Sequence, residues 1–272
     1  MKRNERIGAI IKILSASPNR LFTLNYFTDR FNSAKSSVSE DIVIAKKIMD
    51  NMKLGKIETI PGAAGGVKYV PSMSKEATMS LLDEICTKLK DESRILAGGF
   101  LYTSDIMFDT SIIKRAGEVF ATQFINKKAD YVVTVETKGI PLAYMTAEAL
   151  NLPLVVARRD SKVSEGSTVS INFISGSTDR IQKMSMSKRA IKANSKAIII
   201  DDFMKGGGTA RGIVDLLTEF DIEVVGIGVL ISTQNPNKKL VNNFISLISL
   251  EDVDMDQKAI NVCPNNDLSE LF

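Results

Sequence analysis

The sequence predicts an α/β protein with two domains, a small basic unit and a larger domain with a mainly parallel central sheet. The first 73 residues hold 12 Lys and Arg against 6 Asp and Glu, a net charge of +6, whereas the whole chain of 272 residues carries +3. Apolar residues have helical spacing in this first quarter. Later apolar segments are typical of strands that alternate with helices. We therefore divide the chain into residues 1–73 and 74–272.

Three helices are predicted in the basic unit. The segment "ERIGAIIKILSA" and the segment "SVSEDIVIAKKIMDNM" both place apolar residues on one helix face, and the short "LNYFTDRF" lies between them. The apolar positions are Ile7, Ile10, Ile11 and Leu14 in the first helix, and Val38, Ile42, Ala45 and Met49 in the third. A tight polar turn, "NSAKSS", joins the second helix to the third, which is a helix-turn-helix arrangement.

A hairpin is predicted directly after the third helix, because "KIETIPGAAGGVKYVP" has the pattern of strand, glycine-rich turn and strand. Three helices followed by a hairpin form a winged helix, and a basic winged helix indicates a polyanionic partner, double-stranded DNA. Two alternatives stay open: charge alone is also compatible with a solvated basic face without a partner, and a unit of three helices and a hairpin could serve for dimerisation.

The DNA contacts are predicted from position and charge. Lys35, Ser36, Ser37 and Ser39 stand at the start of the third helix, where such residues meet phosphates and base edges. Three cations on the flanks are predicted to contact the DNA backbone: Arg3, Arg6 and Lys68. Each could instead be a solvated charge, and Ser36 and Ser37 could serve as N-caps of the third helix.

Composition excludes several classes of protein. No apolar run approaches the ~20 residues of a membrane-spanning helix, and the amphipathic start does not have the pattern of a signal peptide, so we expect a cytoplasmic protein. The chain has no histidine, which argues against triad chemistry and histidine-ligated metals, and no metal site is predicted. Its two cysteines, Cys86 and Cys263, are far apart in sequence and are expected to be buried free thiols.

In the larger domain, four strands are predicted: "DYVVTVE" (130–136), "LPLVVAR" (152–158), "KAIIIDD" (196–202) and "VVGIGVLIS" (224–232). Helical stretches such as "PLAYMTAEAL" and "GTARGIVDLLTEF" separate several of them. Ligands of parallel sheets bind beyond the carboxyl ends of the strands, and polar or glycine-rich loops follow these strands at that edge.

The segment 205–209, "KGGGT", predicts a phosphate-binding loop. Glycines at the start of a helix let backbone N–H groups approach an anion, and the helix N-terminus favours negative charge. The spacing is neither that of a P-loop nor that of a dinucleotide fold, and a simple tight turn is the alternative. Asp201 and Asp202, at the end of the preceding apolar strand, suit the two hydroxyls of a ribose whose 5′-phosphate occupies the loop. Helix capping would need only one acid, closer to the helix.

The motif "IIIDDFMKGGGT" resembles the phosphoribosyl pyrophosphate (PRPP) motif of type I phosphoribosyltransferases, with Lys205 and Gly206 in place of the usual small residues. The resemblance implies a phosphoribosyltransferase-like fold and PRPP binding by the motif: Asp201, Asp202, Phe203, Met204, Lys205, Gly206, Gly207, Gly208 and Thr209. "ETKGIPLA" (136–143) resembles the pyrophosphate loop of that family, which implies that Thr137, Lys138 and Gly139 meet the diphosphate. The segment 158–189 resembles its flexible arm.

The whole chain resembles the bacterial purine operon repressors of PurR type, through the basic quarter with "AKSSVSED" and "PGAAGGVKY" and the domain that follows. This resemblance implies a homodimeric transcription regulator of purine synthesis genes whose effector is PRPP, bound with Mg²⁺. It also implies that nucleotides such as guanosine tetraphosphate compete for the pocket. Which of Tyr102, Arg158, Arg159 and Lys162 complete the ligand shell stays open.

An active purine phosphoribosyltransferase is the alternative function. Such an enzyme must hold a nucleobase against C1 of the ribose and stabilise the leaving pyrophosphate. The sequence contains a phosphoribose half-site but no stretch recognisable as the base-binding hood. We therefore predict a sensor without catalytic residues.

Overall fold

A computed structural model describes residues 1–160, 166–174 and 181–265. Lys162, one of the possible effector ligands, lies outside the described residues, as do parts of the segment likened to a flexible arm. The chain forms two compact units. The first comprises Met1–Ser74 together with Glu148–Asn151, and the second comprises Lys75–Ala147 and Leu152–Phe272.

The first unit contains the three helices and the hairpin that the sequence predicts. The helices are α1 (Arg3–Ser15), α2 (Leu24–Phe31) and α3 (Lys35–Asn51), and the antiparallel strands are β1 (Lys56–Ile60) and β2 (Gly66–Val70). The apolar stripe of α3 is buried as expected, whereas α1 buries three of its four stripe positions and leaves Ile11 half-buried. Phe22 bridges to Val67, so the segment before α2 lies against the hairpin.

The second unit alternates helices and strands. From Lys75 to Ser187 its elements are α4 (Lys75–Leu89), β3 (Ile95–Leu96), β4 (Phe100–Leu101), α5 (Ser104–Met107), α6 (Thr110–Phe124), β5 (Tyr131–Val135), α7 (Ile140–Leu150), β6 (Leu154–Ala157), β7 (Thr168–Ile174) and β8 (Ile181–Ser187). They are followed by β9 (Lys196–Met204), α8 (Gly208–Thr218), β10 (Glu223–Thr233), β11 (Phe244–Asp254) and β12 (Ala259–Pro264). Helix α7 begins in this unit and ends in the first.

The central sheet has six strands in the order β12-β11-β10-β9-β5-β6. All neighbours pair in parallel except β11 and β12, so the predicted mainly parallel sheet is confirmed. Strands β11 and β12 and the hairpins β3–β4 and β7–β8 were not predicted from the sequence. These hairpins lie outside the central sheet. The alternation of apolar strands and helices, which predicts strands of that sheet, therefore does not predict them.

Strand β9 and helix α8 position the loop between them. Residues Ala197 to Ile200 of β9 are fully buried, because the strand lies inside the sheet between β10 and β5. Helix α8 covers this region with Ile213, Leu216 and Leu217. A buried strand and a packed helix therefore fix both ends of the segment 201–208.

Both cysteines are free thiols, as expected, although Cys263 is only half-buried. Burial is the main cause that raises the pKa of the Cys86 thiol to about 11. None of the helices in the described part of the chain is long and apolar enough to cross a membrane.

Candidate functional site

A cavity of about 430 Å³ lies at the carboxyl end of β9. The strand end, the loop after it and the loop after β5 all contribute to its wall, as expected for a ligand site of a parallel sheet. The sequence-predicted residues that line it are Thr137, Lys138, Arg159, Asp201, Asp202, Phe203, Met204, Lys205, Gly206, Gly207, Gly208 and Thr209. Glu136 also lines the cavity, and the sequence analysis did not single it out.

The glycine loop forms the N-terminus of α8. The helix begins at Gly208, and Gly207 is its N-cap with φ +82°. A Cβ atom on Gly207 would lie 3.3 Å from the backbone nitrogen of Leu240, so both the positive φ and the close approach favour glycine. The first N–H groups of a helix have no intrahelical acceptor, and they carry the positive end of its dipole. The loop therefore presents unpaired donors suited to an anion.

Asp201 is a buried acid in the cavity wall, with only 5% of its surface exposed. Burial, followed by the charge of the neighbouring Asp202, raises the pKa of Asp201 well above its ordinary value, while Arg159 acts in the opposite direction. The backbone N–H of Asp202 donates to Asp201 Oδ1 at 2.9 Å. This fixes the carboxyl of Asp201, and the two acids are consecutive residues among the last four of β9.

Gly139 lies behind Asp201. A Cβ atom at Gly139 would lie 2.5 Å from Asp201 Oδ1 and 2.6 Å from Thr134 Oγ1. The absence of a side chain at this position therefore makes room for the buried acid. The 137–139 loop and the acid pair were predicted from two separate sequence motifs. In the structure they pack against each other.

Glu136 organises the arginines after β6. Its carboxylate accepts a hydrogen bond from the backbone N–H of Arg159 at 2.8 Å and lies 3.5 Å from Arg158 Nη1. Arg158 thus has an internal partner, whereas Arg159 lines the cavity. The peptide bond between Glu136 and Thr137 is cis.

Tyr102 lies between β4 and α5, with 42% of its surface exposed. Its backbone is held by Arg94, which donates from Nη1 to the Tyr102 carbonyl at 3.1 Å. Among the described residues, the cavity wall does not include Tyr102 or Arg158. Their contact with an effector stays a prediction.

In the first unit, Lys35 and Ser36 are exposed at the start of α3, and Ser37 and Ser39 are partly exposed. The N-cap of α3 is Ala34, so the alternative that Ser36 or Ser37 caps this helix is wrong. The cap was misplaced because the helix begins two residues earlier than the apolar pattern indicates. The polar side chains of the first turn are thus not needed as caps.

Lys35 also lines a cavity of about 320 Å³. The other walls are the start of α2, Thr23 to Asn25, and the turn of the hairpin, Thr59 to Ala63 with Gly65 and Gly66. The N-terminus of α2 adds the positive end of a helix dipole to the charge of Lys35. This is the region of the unit where the structure brings the third helix and the hairpin turn together.

The three flanking cations, Arg3, Arg6 and Lys68, pair with acidic side chains that the sequence did not indicate. Arg6 Nε donates to Asp41 Oδ2 at 2.6 Å, and the side chain of Asp41 is 1% exposed. Arg3 pairs with Glu40 at 3.2 Å and lies 3.4 Å from Asp41 Oδ1, and Lys68 lies 3.4 Å from Glu58. The distance in sequence hid these pairs, and backbone contacts by these three cations stay a prediction.

Comparisons with known proteins match both units. A family profile described as bacterial purine repressor, N-terminal, covers residues 2–71, and one described as phosphoribosyl transferase domain covers residues 107–266. The chain is 44% identical over 265 residues to the purine biosynthesis transcriptional repressor PurR of Bacillus subtilis (strain 168), spanning 97% of this chain and 93% of that protein.

Two further comparisons concern regulation and fold. The chain is 38% identical over 262 residues to the purine biosynthesis transcriptional activator PurR of Lactococcus lactis subsp. lactis (strain IL1403), spanning 96% of this chain and 97% of that protein. An adenine phosphoribosyltransferase structure from Thermoanaerobacter pseudethanolicus superposes with a TM-score of 0.54 at 21% identity, over 62% of this chain and 99% of that chain. At this identity the structural match shows the fold alone.

Proposed function

This chain belongs to the PurR family of bacterial purine biosynthesis transcriptional regulators, and from that premise we propose that PRPP controls its binding to DNA. One observation carries the proposal: the acid pair, the glycine loop and the 137–139 loop meet at a single cavity. PRPP is a ribose with a phosphate on one side and a diphosphate on the other, so its three parts require three such elements.

Each part of PRPP has a matching element. The N–H groups at the start of α8 suit the 5′-phosphate, because they are unpaired donors at a helix N-terminus. Asp201 and Asp202 accept hydrogen bonds from the two ribose hydroxyls. Thr137 and Lys138 take the diphosphate, with Arg159 adding positive charge to the wall.

Magnesium would accompany the diphosphate. Mg²⁺ keeps several waters and binds through substrate phosphates with one or two carboxylates. Over residues 1–160, 166–174 and 181–265 there is no group of three or more His, Cys, Asp or Glu arranged to hold a metal. In our proposal the ion is carried in by the effector, with Asp202 and Glu136 as the carboxylates of the wall that it could reach.

The test is a titration of PRPP with Mg²⁺ into the protein and DNA from upstream of purine genes, followed by fluorescence anisotropy. We expect DNA affinity to change, in either direction, because one relative is a repressor and another an activator. An effector acts only through unequal affinity for the DNA-bound and free forms. Saturating PRPP that leaves DNA affinity unchanged would refute the proposal.

The alternative, an active purine phosphoribosyltransferase, takes support from the shared fold and from the match of residues 107–266 to the phosphoribosyl transferase domain profile, but a shared domain is a weak basis for activity. We expect no steady release of pyrophosphate from PRPP and Mg²⁺ with adenine, guanine, hypoxanthine, xanthine, uracil or orotate. Coupled detection of pyrophosphate measures this directly. Turnover with any of these bases would make the enzyme the leading function.

DNA binding by the first unit depends in our proposal on Lys35. Lys35→Met should weaken binding to all sequences alike and reduce the slope of log affinity against log salt by about 0.9, the value for one lost phosphate contact. Lys68→Met should have the smaller effect, because Glu58 already lies beside that ammonium. Anisotropy over a range of salt concentrations measures both slopes.

Lys12→Met is the matched control, since Lys12 is an exposed cation on α1 that is not predicted to bind DNA. It removes the same charge and should leave the slope unchanged. If the salt slope is unchanged in Lys35→Met, or falls by the same amount in Lys12→Met, the DNA contact lies on another face of the unit.

Two finer proposals follow from the same pocket and family. Nucleotides with a 5′-phosphate or diphosphate, guanosine tetraphosphate among them, would use the glycine loop and so compete with PRPP. A homodimer would present two winged helices to a two-fold operator, because half-site symmetry of DNA matches protein symmetry.

A further inference from the structure

The loop between β10 and β11 holds the glycine loop from behind. Lys239 Nζ donates to the carbonyl oxygen of Lys205 at 2.6 Å, and the backbone N–H of Leu240 donates to the carbonyl oxygen of Gly206 at 2.9 Å. Two consecutive carbonyls of the glycine loop therefore point towards the segment 239–240. All of these residues belong to the second unit.

The two contacts also determine where the N–H groups of Gly206 and Gly207 point, because each N–H shares a rigid peptide group with one of the two carbonyls. The peptide bonds after Lys205 and Gly206 are trans, and in a trans peptide the C=O and N–H groups point in opposite directions. The N–H groups of Gly206 and Gly207 must therefore point away from the segment 239–240. Both residues line the cavity, so these amides add to the donors at the start of α8.

Lys239 is the main donor to the Lys205 carbonyl. The Thr233 hydroxyl also lies near this oxygen, at 3.4 Å, but it lies 2.6 Å from the carbonyl of Asn235. A hydroxyl has a single hydrogen, which the shorter contact takes. The Lys239 ammonium is itself held by the carbonyl of Thr233 at 2.7 Å and its hydroxyl at 3.3 Å.

We propose that Lys239 is a positioning residue for the effector site: it fixes the Lys205 carbonyl and thereby aims the amide of Gly206 at the 5′-phosphate, while the Leu240 amide fixes the peptide that carries the Gly207 N–H. The inference rests on the proposed function for the identity of the ligand. Partial burial lowers the pKa of Lys239, which fits an ammonium that serves internal carbonyls rather than solvent. Lys239 does not touch the ligand in this scheme.

The first test compares Lys239→Met with Lys238→Met in the full-length protein. Lys238 is the adjacent, exposed lysine, so the control removes the same charge beside the same loop. Without this hydrogen bond the loop must become ordered when the ligand binds, and this cost should weaken binding of ribose 5-phosphate and of PRPP by the same factor, about tenfold. Lys238→Met should bind both ligands as the wild type does. Isothermal calorimetry measures these affinities, and thermal melting checks folding.

The second test needs no ligand. Hydrogen exchange at the loop, measured at the Leu240 amide that donates to the Gly206 carbonyl, should be faster in Lys239→Met than in the wild type, and unchanged in Lys238→Met. A mutant that merely loosens the fold would also speed exchange in β9 and α8. Exchange confined to the loop supports positioning, whereas unchanged exchange at the loop overturns it, whatever the ligand affinities.

The outcomes separate the two proposals. If the wild type binds neither PRPP nor ribose 5-phosphate while loop exchange still responds to Lys239→Met, the proposed function and the 5′-phosphate assignment fail, and only the role of Lys239 in ordering the glycine loop stands. If PRPP affinity falls but ribose 5-phosphate affinity does not, the effect lies at the diphosphate, and our assignment of Lys239 is overturned. An equal loss in Lys238→Met would overturn it as well, because charge alone would explain the result.

Discussion

Replacing Asp201 and Asp202 together by alanine should abolish the response of DNA binding to PRPP and leave DNA affinity without effector unchanged. The two carboxylates are the acceptors that we assign to the ribose hydroxyls, and hydrogen bonds to charged groups contribute about 1.5–3 kcal/mol each. Losing both should weaken PRPP binding by about a hundredfold or more. An effector that no longer binds cannot shift DNA affinity.

The measurement is DNA affinity of wild type and double mutant across a PRPP titration. Asp256→Ala is the control, since Asp256 is an exposed acid of the same unit, after β11 and away from the cavity wall. It should respond as the wild type does. A folded double mutant that responds at wild-type PRPP concentrations would show that the acid pair is not the ribose site.

The double mutant is expected to fold. Burial and the charge of Asp202 raise the pKa of Asp201, so its ionised form is less favourable in the folded protein than in the unfolded chain. With a raised folded pKa, the contribution of this acid to stability falls as pH rises from the ordinary carboxyl range to that folded pKa. Above the ordinary carboxyl range this acid therefore opposes folding, and its replacement by alanine should remove that cost.

The parts of the site that the sequence predicted are local ones. An apolar strand, two acids and three glycines at a helix start are neighbours in the chain, so β9, the loop and α8 could be predicted together. In the same way, the helical spacing of the apolar residues predicted which face of α3 is buried. Such patterns depend on side chains within a few residues of one another.

The features that were not predicted from the sequence are contacts between residues that are far apart in the chain. Lys239 and Lys205 are 34 residues apart, Arg6 and Asp41 are 35 apart, and nothing in the local pattern of either partner indicates the other. Charge assigned Arg6 to DNA but did not indicate its internal partner, the buried Asp41, and a DNA contact by Arg6 stays a prediction. Only the packing of α1 on α3 and of one loop on another reveals these pairs.

Asp41 provides the second large effect. Asp41→Ala should destabilise the first unit by about 3 kcal/mol, the scale for removing one partner of a buried ion pair. Asp41 is fully buried, and Arg6, with a side chain that is 13% exposed, donates to it at 2.6 Å. The mutation leaves this guanidinium with little access to water and no anion between α1 and α3. Hydrogen exchange in α1 and α3 of the full-length protein measures the loss.

Glu40→Ala is the matched control, because Glu40 is the adjacent acid and pairs with Arg3 at 3.2 Å while its side chain is 69% exposed. Exposed ion pairs contribute little, about 0–1 kcal/mol, so this variant should keep wild-type exchange and DNA affinity. Asp41→Ala should lose DNA affinity and keep PRPP binding, since the acid pair and the glycine loop lie in the other unit. The opposite result, tighter DNA binding with normal exchange, would mean that Asp41 merely restrains Arg6, and that Arg6, once released, contacts the DNA backbone.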